Sequence, residues 1–485
     1  MINFKLLYKI IGQLLFLEAS LMIACLMVAF FYQEDDIFAF TVSAFITILF
    51  GLVLKIMGKN ASNSLSRRDA YLVVSVTWII FSLQGTMPFL IGGYITNFTD
   101  AFFESMSGFT TTGATVFGNV EALPHATLFW RSLSQWIGGL GIVFFTIALL
   151  PSLVGGSVKV FAAEATGPIR TKLHPRLSTS SKWIWSVYIV ITIACIISYY
   201  FAGGSIFSSI NYAMTTTATG GFAIHNSSAE FFNTPLLEYL CTFFCLLSGV
   251  NFTLLYCAVI KGKVKNLFRS TEFRFYITLI LLLSLFVMAQ LMMFSGYSME
   301  KAFRSGIFQV VSFITTTGIL NDDAALWPHA TWVALALCMV IGGCSGSTSG
   351  GMKCIRAVMM LRVIKNEFRQ ILHPNAVLPL KIDGVNVPHQ KRVTLLAFLT
   401  IYLLLAMLQG TILIGCGIDN TNAIAITASC LGNVGASLGV AVGPSMSWAS
   451  LPVFAKWLCA AMMLVGRLEV FSVLVIFTPE FWKKN

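Results

Sequence analysis

The chain has few charged residues for its length. Asp, Glu, Lys and Arg make up 11% of its 485 residues, whereas 57% are hydrophobic. A soluble globular protein carries about 25% charged residues. A deficit of this size excludes a water-soluble enzyme and a disordered chain. Because a transmembrane helix needs about 20 apolar residues, the composition predicts a multi-pass membrane protein with about ten spans.

A cysteine framework and a nucleic-acid patch are also missing. The sequence has 11 Cys, mostly inside apolar runs, and contains no CxxC pair. Buried free thiols that pack as small hydrophobes are therefore expected. The net charge of +11 comes from basic residues scattered between apolar runs, without interleaved aromatics. We interpret these residues as topology signals and expect no nucleic-acid partner.

Basic residues mark one side of the membrane. The apolar runs lie at 10–32, 37–57, 71–93, 126–150, 183–202, 236–260, 274–296, 329–343, 391–416 and 451–477. If these spans alternate, every large Lys/Arg cluster falls on the same face, which the positive-inside rule assigns to the cytoplasm. This predicts a multi-pass membrane protein with both termini cytoplasmic. Acidic residues collect on the other face, which suits a cation vestibule but also occurs where nothing excludes acids.

Thr/Gly-rich segments recur between the spans. Thr-Thr-Thr occurs at 110–112, 215–217 and 315–317, each with a Gly soon after, and Asn433-Val434-Gly435 is a diverged fourth copy. Each follows a short apolar stretch, for which Asp100, Ser208 and Asn422 are candidate N-caps. Downstream, a Pro is followed fourteen residues later by a Gly in the pairs Pro124/Gly138, Pro235/Gly249, Pro328/Gly342 and Pro452/Gly466. That Gly permits close helix approach or a bend.

These matches define one unit that occurs four times. The unit is a span, a short re-entrant helix, a Thr/Gly loop and a Pro-initiated span. Its copies lie at 69–150, 180–262, 272–361 and 389–478, and residues 1–60 add two accessory transmembrane helices. The predicted fold is an all-α membrane protein with four pseudo-symmetric span–pore-loop–span repeats around one ion pore, plus two extra N-terminal transmembrane helices.

Four such loops can build a cation filter. Non-helical backbone at membrane depth is tolerated where it lines a cavity. Gly permits the dihedral angles that turn carbonyls inward, and rings of carbonyls replace the hydration shell of a monovalent cation. The short helices direct their negative C-terminal ends toward the same axis. No ring of carboxylates accompanies the loops, which disfavours a divalent cation.

The fourfold unit and its loops resemble the Trk/Ktr/HKT superfamily of potassium transporters, and the two extra N-terminal spans resemble its bacterial TrkH branch. The resemblance covers essentially the whole chain. It implies a location in the bacterial inner membrane, a homodimer and a cytoplasmic nucleotide-binding regulatory subunit of the TrkA type. It also implies potassium as the bound ion, with no organic cofactor. Four filter glycines imply potassium preference. Carried over, the filter residues are Thr111, Thr112, Gly113, Ala218, Thr219, Gly220, Thr316, Thr317, Gly318, Asn433, Val434 and Gly435.

A Gly/Ser-rich stretch, 342–351, falls in the inner half of the eighth span. So many Gly and Ser residues break a helix. A phosphate loop is excluded because Met352 intervenes before Lys353. A plain linker would leave the span at 329–343 too short to cross the membrane. We therefore predict a broken helix that closes the pore from below, where the resemblance places an intramembrane gate. Its candidate residues are Gly343, Gly346, Ser347, Thr348, Ser349, Gly350 and Gly351.

Arg467 follows Gly466 deep in the last span. A charged residue at this depth is costly and usually functional. We predict a fixed positive charge below the filter that restricts cation flow. The alternative is a structural ion pair with Glu469 or with another helix. Positions 467 and 469 point about 200° apart on a helix, which disfavours the local pair.

The predicted function is potassium uptake through a carbonyl filter, gated by the Gly/Ser loop and Arg467, without enzymatic activity. The alternative is a proton- or sodium-coupled symporter. Few carboxylates lie within the spans, Glu18 and Glu469 being the chief ones, so the groups that a proton relay needs are scarce. A scaffold or receptor is a third class, which the four loops disfavour. The segments 151–182 and 362–390 are candidate docking sites for a regulator, or only linkers.

Overall fold

The computed structural model describes residues 2–62, 66–141, 177–229, 234–438 and 447–483. Helices make up most of this chain: α1 Phe4–Tyr32, α2 Ile37–Met57, α3 Arg67–Gly85, α4 Met87–Ile91, α5 Phe98–Phe109, α6 His125–Gly139, α7 Leu177–Phe201, α8 Ile206–Ala218, α9 Pro235–Ser248, α10 Phe252–Val259, α11 Val264–Arg269, α12 Thr271–Phe294, α13 Met299–Ile314, α14 His329–Ile341, α15 Cys354–Leu372, α16 His389–Gly415, α17 Asn420–Gly432, α18 Val453–Arg467, α19 Phe471–Leu474 and α20 Pro479–Trp482. Short 3-10 turns lie at Ala324–Leu326, Trp448–Ser450 and Val475–Phe477.

Several helices have the length and composition of membrane spans. Six in the described residues qualify singly, and two bent helix pairs raise the number to eight. Residues 142–176 lie outside the described residues. They include the second half of the predicted span at 126–150 and most of the segment 151–182.

The accessory helices α1 and α2 cross closely. A Cβ atom at Gly12 would lie 2.7 Å from the carbonyl oxygen of Gly51, so glycine is needed where the two backbones meet. At the other end of the pair, Glu34 accepts a hydrogen bond from the backbone N–H of His125 over 2.6 Å. The accessory pair is therefore tied to the N-terminus of α6.

Four short helices, α5, α8, α13 and α17, follow the first long helix of each repeat. Their N-caps are Asn97, Ser205, Ser298 and Asp419, whose side chains accept backbone N–H groups of the first turn. The predicted caps Asp100, Ser208 and Asn422 are wrong, because each helix begins one turn earlier. The repeat boundaries themselves stay a prediction.

The second helix breaks in more than one repeat. α9 and α10 meet at 104°, and α18 bends by 108° against the segment Phe471–Phe477. α14 ends at Ile341. The sequence predicted a broken helix in the third repeat and allowed a bend at the Gly fourteen residues after each Pro; the second and fourth repeats bend just after Gly249 and Gly466.

The Gly fourteen residues after each Pro explains where these helices end. Each glycine packs against another part of the chain so closely that a side chain would overlap it. A Cβ atom at Gly138 would overlap the carbonyl of Phe109, and one at Gly466 would overlap the carbonyl of Leu431. Both carbonyls lie in the last turn of the short helix of the same repeat. The glycine thus gives both the close approach and the bend expected of it.

A small hairpin lies in the predicted inner segment 362–390. Strands β1 (Lys381–Ile382) and β2 (Val385–Asn386) pair antiparallel. Ile382 is buried in a small cluster with Ile355 and Met359 of α15 and Leu395 of α16. The hairpin therefore links the end of the third repeat to the start of the fourth.

Candidate functional site

All four short helices end in the same way. The residue after the last helical turn is left-handed, with φ between 53° and 57°, at Thr111, Thr219, Thr316 and Asn433. The N–H of the next residue donates to the carbonyl five positions earlier over 2.8–2.9 Å, in the pairs Thr112–Ser107, Gly220–Thr215, Thr317–Ser312 and Val434–Ser429. This is the pattern of a Schellman-type C-cap. A β-branched residue rarely adopts this conformation, so tertiary contacts must impose it at the three threonines.

The loops after these helices interlock in a closed ring. Each supplies a glycine with φ between 72° and 84°: Gly113, Gly221, Gly318 and Gly435. At each glycine a Cβ atom would overlap a carbonyl oxygen of the next loop, in the pairs Gly113–Gly220, Gly221–Thr317, Gly318–Val434 and Gly435–Thr112. We call the carbonyl groups of Thr112, Gly220, Thr317 and Val434 the carbonyl ring. Only glycine combines this φ with so close an approach.

The second loop has a different register from the one predicted. Gly221, and not Gly220, takes the place of the ring glycines of the other loops. Ala218 is the last residue of α8 and contributes no carbonyl to the ring. The triplet 215–217 is helical, so it does not correspond to 110–112. The equivalent loop residues are Thr219, Gly220 and Gly221.

A cavity of about 100 Å³ lies on one side of the ring. The four ring glycines line it together with the residues that follow them in the loops. Arg131, buried in its wall, pairs with the buried Glu104 over 2.9 Å. Glu104 also accepts the backbone N–H of Val116 over 2.8 Å, which fixes the chain just after the first loop.

The segment 342–353 lies on the side of the short-helix C-termini; we call it the crossing loop. It is largely buried and has positive φ at Gly342, Gly346, Gly351 and Lys353. Its backbone N–H groups donate to three repeats, in the pairs Cys344–Gly249 (2.9 Å), Gly350–Thr316 Oγ1 (2.6 Å) and Gly351–Gly432 (2.9 Å). The broken-helix residues predicted as a gate therefore form one irregular segment packed beneath the loops.

Thr348 and its neighbours hold this segment in place. The Oγ1 hydroxyl of Thr348 shares its one hydrogen between the carbonyls of Thr217 (3.0 Å) and Ser248 (3.2 Å). The hydroxyls of Ser347 and Ser349 bond each other over 2.6 Å. A Cβ atom at Gly343 would overlap the hydroxyl of Ser349. The candidate gate residues thus contact one another as well as the second repeat.

Arg467 connects the crossing loop to the first repeat. Its guanidinium donates to the carbonyl of Thr348 over 2.7 Å and to those of Gly138 (2.7 Å) and Gly139 (2.5 Å) at the end of α6. Glu469 pairs instead with Arg356 of α15 over 2.5 Å. Glu469 thus has an ion-pair partner on another helix, and Arg467, in the fourth repeat, donates to backbone carbonyls of the first and the third repeats.

Two further residues that the sequence did not single out fix the crossing loop. Glu272, buried at the start of α12, accepts through Oε1 the N–H of Ser345 (2.6 Å) and of Ile355 (3.1 Å). Lys353 is buried and its ammonium donates to the carbonyl of Ser349. Both positions could have been found in the sequence, because a Glu and a Lys at the edge of an apolar span are uncommon and often functional.

Within the described ranges, no group of three or more His, Cys, Asp or Glu side chains is placed to hold a metal ion. The fold, with its apolar helices, interlocked loops and crossing loop, is that of a multi-pass helical membrane protein.

Comparison with known proteins identifies the family. The TrkH model, described as cation transport protein, matches residues 36–484. The Trk system potassium uptake protein TrkH of Escherichia coli (strain K12) is 35% identical over 485 residues, covering 99% of this chain and all of that protein. TrkH of Halomonas elongata is 34% identical over 484 residues, with the same coverage. The chain belongs to the TrkH family.

A solved structure supports the fold as well. The crystal structure of the potassium transporter TrkH from Vibrio parahaemolyticus matches with a TM-score of 0.90 and 34% sequence identity, covering 99% of this chain and 100% of that one. The all-α membrane fold and the family predicted from the repeats are confirmed.

Proposed function

We propose that this protein takes up potassium ions across the bacterial inner membrane through the carbonyl ring. The single observation that carries the proposal is the interlocking of the four loops through the ring glycines Gly113, Gly221, Gly318 and Gly435. Curated relatives with about a third of their residues identical are named potassium uptake proteins.

The ring can replace the hydration shell of a monovalent cation. The ring carbonyls belong to Thr112, Gly220, Thr317 and Val434, and residues Thr111, Thr219, Thr316 and Asn433 just before them turn the chain out of its helix. The C-terminal ends of four helices supply additional negative potential. Potassium is the bound ion in this proposal, and no organic cofactor takes part.

The crossing loop and Arg467 act as the gate. The loop lies on the side of the helix C-termini and is bonded to the second, third and fourth repeats. Arg467 adds a positive charge and reaches the first repeat. Together, the crossing loop and Arg467 are bonded to all four repeats and block the path on this side of the carbonyl ring. These bonds must break before a cation can pass.

The proposal includes an assembly and an orientation in the membrane. We propose a homodimer, a cytoplasmic nucleotide-binding partner of the TrkA type, and both termini in the cytoplasm. The relatives are named as parts of a Trk system. The segment 362–390, with α15 and the β1–β2 hairpin, carries exposed basic residues and is the candidate docking surface for the partner.

Liposome flux tests the function. Purified protein in liposomes should carry potassium or rubidium down an imposed gradient, with smaller sodium flux. Empty liposomes are the control. Absence of flux with and without added nucleotides and a TrkA-type partner would overturn the proposal.

A proton- or sodium-coupled symporter is the second candidate. The observation that favours it is Glu18, which is fully buried in α1 and has no hydrogen-bond partner at either carboxylate oxygen within the described residues. A buried carboxylate of this kind can bind a proton. Under voltage clamp, a pH or sodium gradient should leave the reversal potential at the potassium value; a shift that is lost in Glu18→Gln would identify coupling instead.

A further inference from the structure

The second loop lacks a side chain that the other loops have. The ring carbonyls belong to Thr112, Thr317 and Val434 in the first, third and fourth loops, but to Gly220 in the second. Gly220 does not have the positive φ that would require glycine for its backbone. Something other than backbone conformation therefore accounts for the missing side chain.

Gln135 of α6 fills this space. It is fully buried, and a Cβ atom at Gly220 would overlap its amide group. The amide donates from Nε2 to the carbonyl of Gly220 over 2.7 Å and accepts the N–H of Phe222 at Oε1 over 3.1 Å. One side chain thus holds the backbone on both sides of the ring glycine Gly221.

The equivalent positions in the other three repeats hold apolar residues. Gln135 lies eleven residues after Pro124, and the same count from the other three prolines gives Leu246, Met339 and Met463. Within the described residues, the Gly220 carbonyl is the one member of the carbonyl ring that accepts a side-chain hydrogen bond. The ring is therefore chemically asymmetric, with one oxygen held by a donor from the neighbouring repeat.

Arg131, one helical turn before Gln135, supports the same loop. Its guanidinium donates to the carbonyl of Ala223 over 2.9 Å and lies 4.2 Å from the ring centre of Phe222. The buried Glu104 neutralises it. Together, these two side chains of α6 hold residues 220–223 at three backbone atoms.

We propose that Gln135 is a positioning residue that sets the ion selectivity of the carbonyl ring by fixing the Gly220 oxygen. The inference rests on the proposed function. In the other loops the residue of the ring carbonyl has a buried side chain of its own, whereas at Gly220 the amide of Gln135 supplies both packing and a directed bond. A hydrogen bond fixes the position of an oxygen more narrowly than packing alone does. Removing it lets the oxygen move toward a smaller cation, so relative sodium permeation should rise.

The test is Gln135→Met, which installs the residue found at the equivalent position in two other repeats. The matched control is Gln409→Met, a fully buried glutamine of α16 that contacts Cys459 and no loop residue among its hydrogen bonds. The measurement is the potassium-to-sodium permeability ratio from reversal potentials in liposomes or planar bilayers. Gln135→Met should lower this ratio roughly fivefold, as expected for the net contribution of one hydrogen bond. Gln409→Met should leave it unchanged.

A double variant separates bonding from space filling. The double variant combines Gln135→Ala with Gly220→Val. The second substitution gives the second loop a valine, as the fourth loop has at Val434, and the first makes room for that valine. If the bond matters, the ratio stays low in the double variant; if Gln135 only fills space, the ratio returns to that of the unmodified protein and the inference is wrong. The double variant also decides the question if Gln135→Met does not fold. An unchanged ratio in Gln135→Met, with normal potassium flux, overturns this inference alone, whereas loss of flux in the unmodified protein would overturn the proposed function.

Discussion

Asn433 donates from Nδ2 to Oγ1 of Thr112 over 3.0 Å, a contact between residues 321 positions apart. The same amide donates to the carbonyl of Met463 over 2.8 Å. The fourth loop is thereby bonded both to the first loop and to the last long helix. The first and fourth loops are the first and last of the ring along the chain, so the bond from Asn433 to Thr112 joins the two ends and closes the ring.

Asn433→Thr should weaken this closure without disturbing the backbone. Threonine occupies the same left-handed position in the other three loops, so the conformation is accessible to it. The variant loses the two amide bonds, and we expect the free energy of unfolding to fall by about 1–3 kcal/mol. Thermal unfolding in detergent measures the stability change, and reversal potentials should show more sodium permeation. A permeability ratio equal to that of the unmodified protein would show that ring closure does not depend on Asn433.

Gly113→Ser and Gly221→Ser should behave alike. Each puts a side chain at a positive φ and against a ring carbonyl, and a left-handed conformation costs a residue with a Cβ atom about 1–2 kcal/mol. We expect both to raise relative sodium permeation by roughly tenfold, the factor that corresponds to about 1.4 kcal/mol of lost discrimination.

Gly118→Ser is the control for this pair. Gly118 lines the cavity beside the carbonyl ring, as Gly113 and Gly221 do, but a Cβ atom there meets no atom within 4 Å. Its permeability ratio should match that of the unmodified protein. If Gly221→Ser is as silent as Gly118→Ser, the register assigned to the second loop does not describe the conducting protein.

The repeats could be predicted because they leave marks in composition. The Thr/Gly loops and the Pro–Gly spacing are local. They located the ends of the first, third and fourth short helices and the glycines near which the second helices end or bend. The unusual position of Arg467 was visible because a charge stands out in an apolar run. These features need no knowledge of which segments are neighbours in space.

The register of the second loop could not be predicted in this way. Thr215, Thr216 and Thr217 match the other triplets by eye, yet they are helical, and the helix ends only after Ala218. Which residue turns left-handed depends on where the helix end meets the neighbouring repeats. The role of Gln135 could not be predicted either, because it depends on the missing side chain of Gly220, which lies 85 positions away in the sequence.

Arg467→Ala should increase basal potassium flux. The guanidinium makes charge-assisted hydrogen bonds to the carbonyls of Thr348, Gly138 and Gly139, and each such bond contributes about 1.5–3 kcal/mol. Losing them favours the open state, and a gain of roughly tenfold or more in flux without partner or nucleotide is expected. Deletion of 346–350 should have the same direction of effect.

Arg304→Gln serves as the control for charge removal. Arg304 pairs with Glu238 and Glu300, and within the described residues it forms no ion pair with the crossing loop. Liposome rubidium uptake compares the variants. The gating role of this region is falsified if Arg467→Ala and the deletion both leave basal flux at the level of Arg304→Gln.

Glu272→Ala should also open the crossing loop, whereas Glu272→Gln should not. One carboxylate oxygen accepts the N–H groups of Ser345 and Ile355, which lie near the two ends of the loop. The amide oxygen of glutamine can accept the same bonds, but alanine leaves both donors buried and unpaired, at a cost of about 1–3 kcal/mol each. We therefore expect basal rubidium uptake to rise several-fold in Glu272→Ala and to stay near the unmodified level in Glu272→Gln. Equal uptake in the two variants would mean that the charge of Glu272, and not its bonds to the loop, determines the closed state.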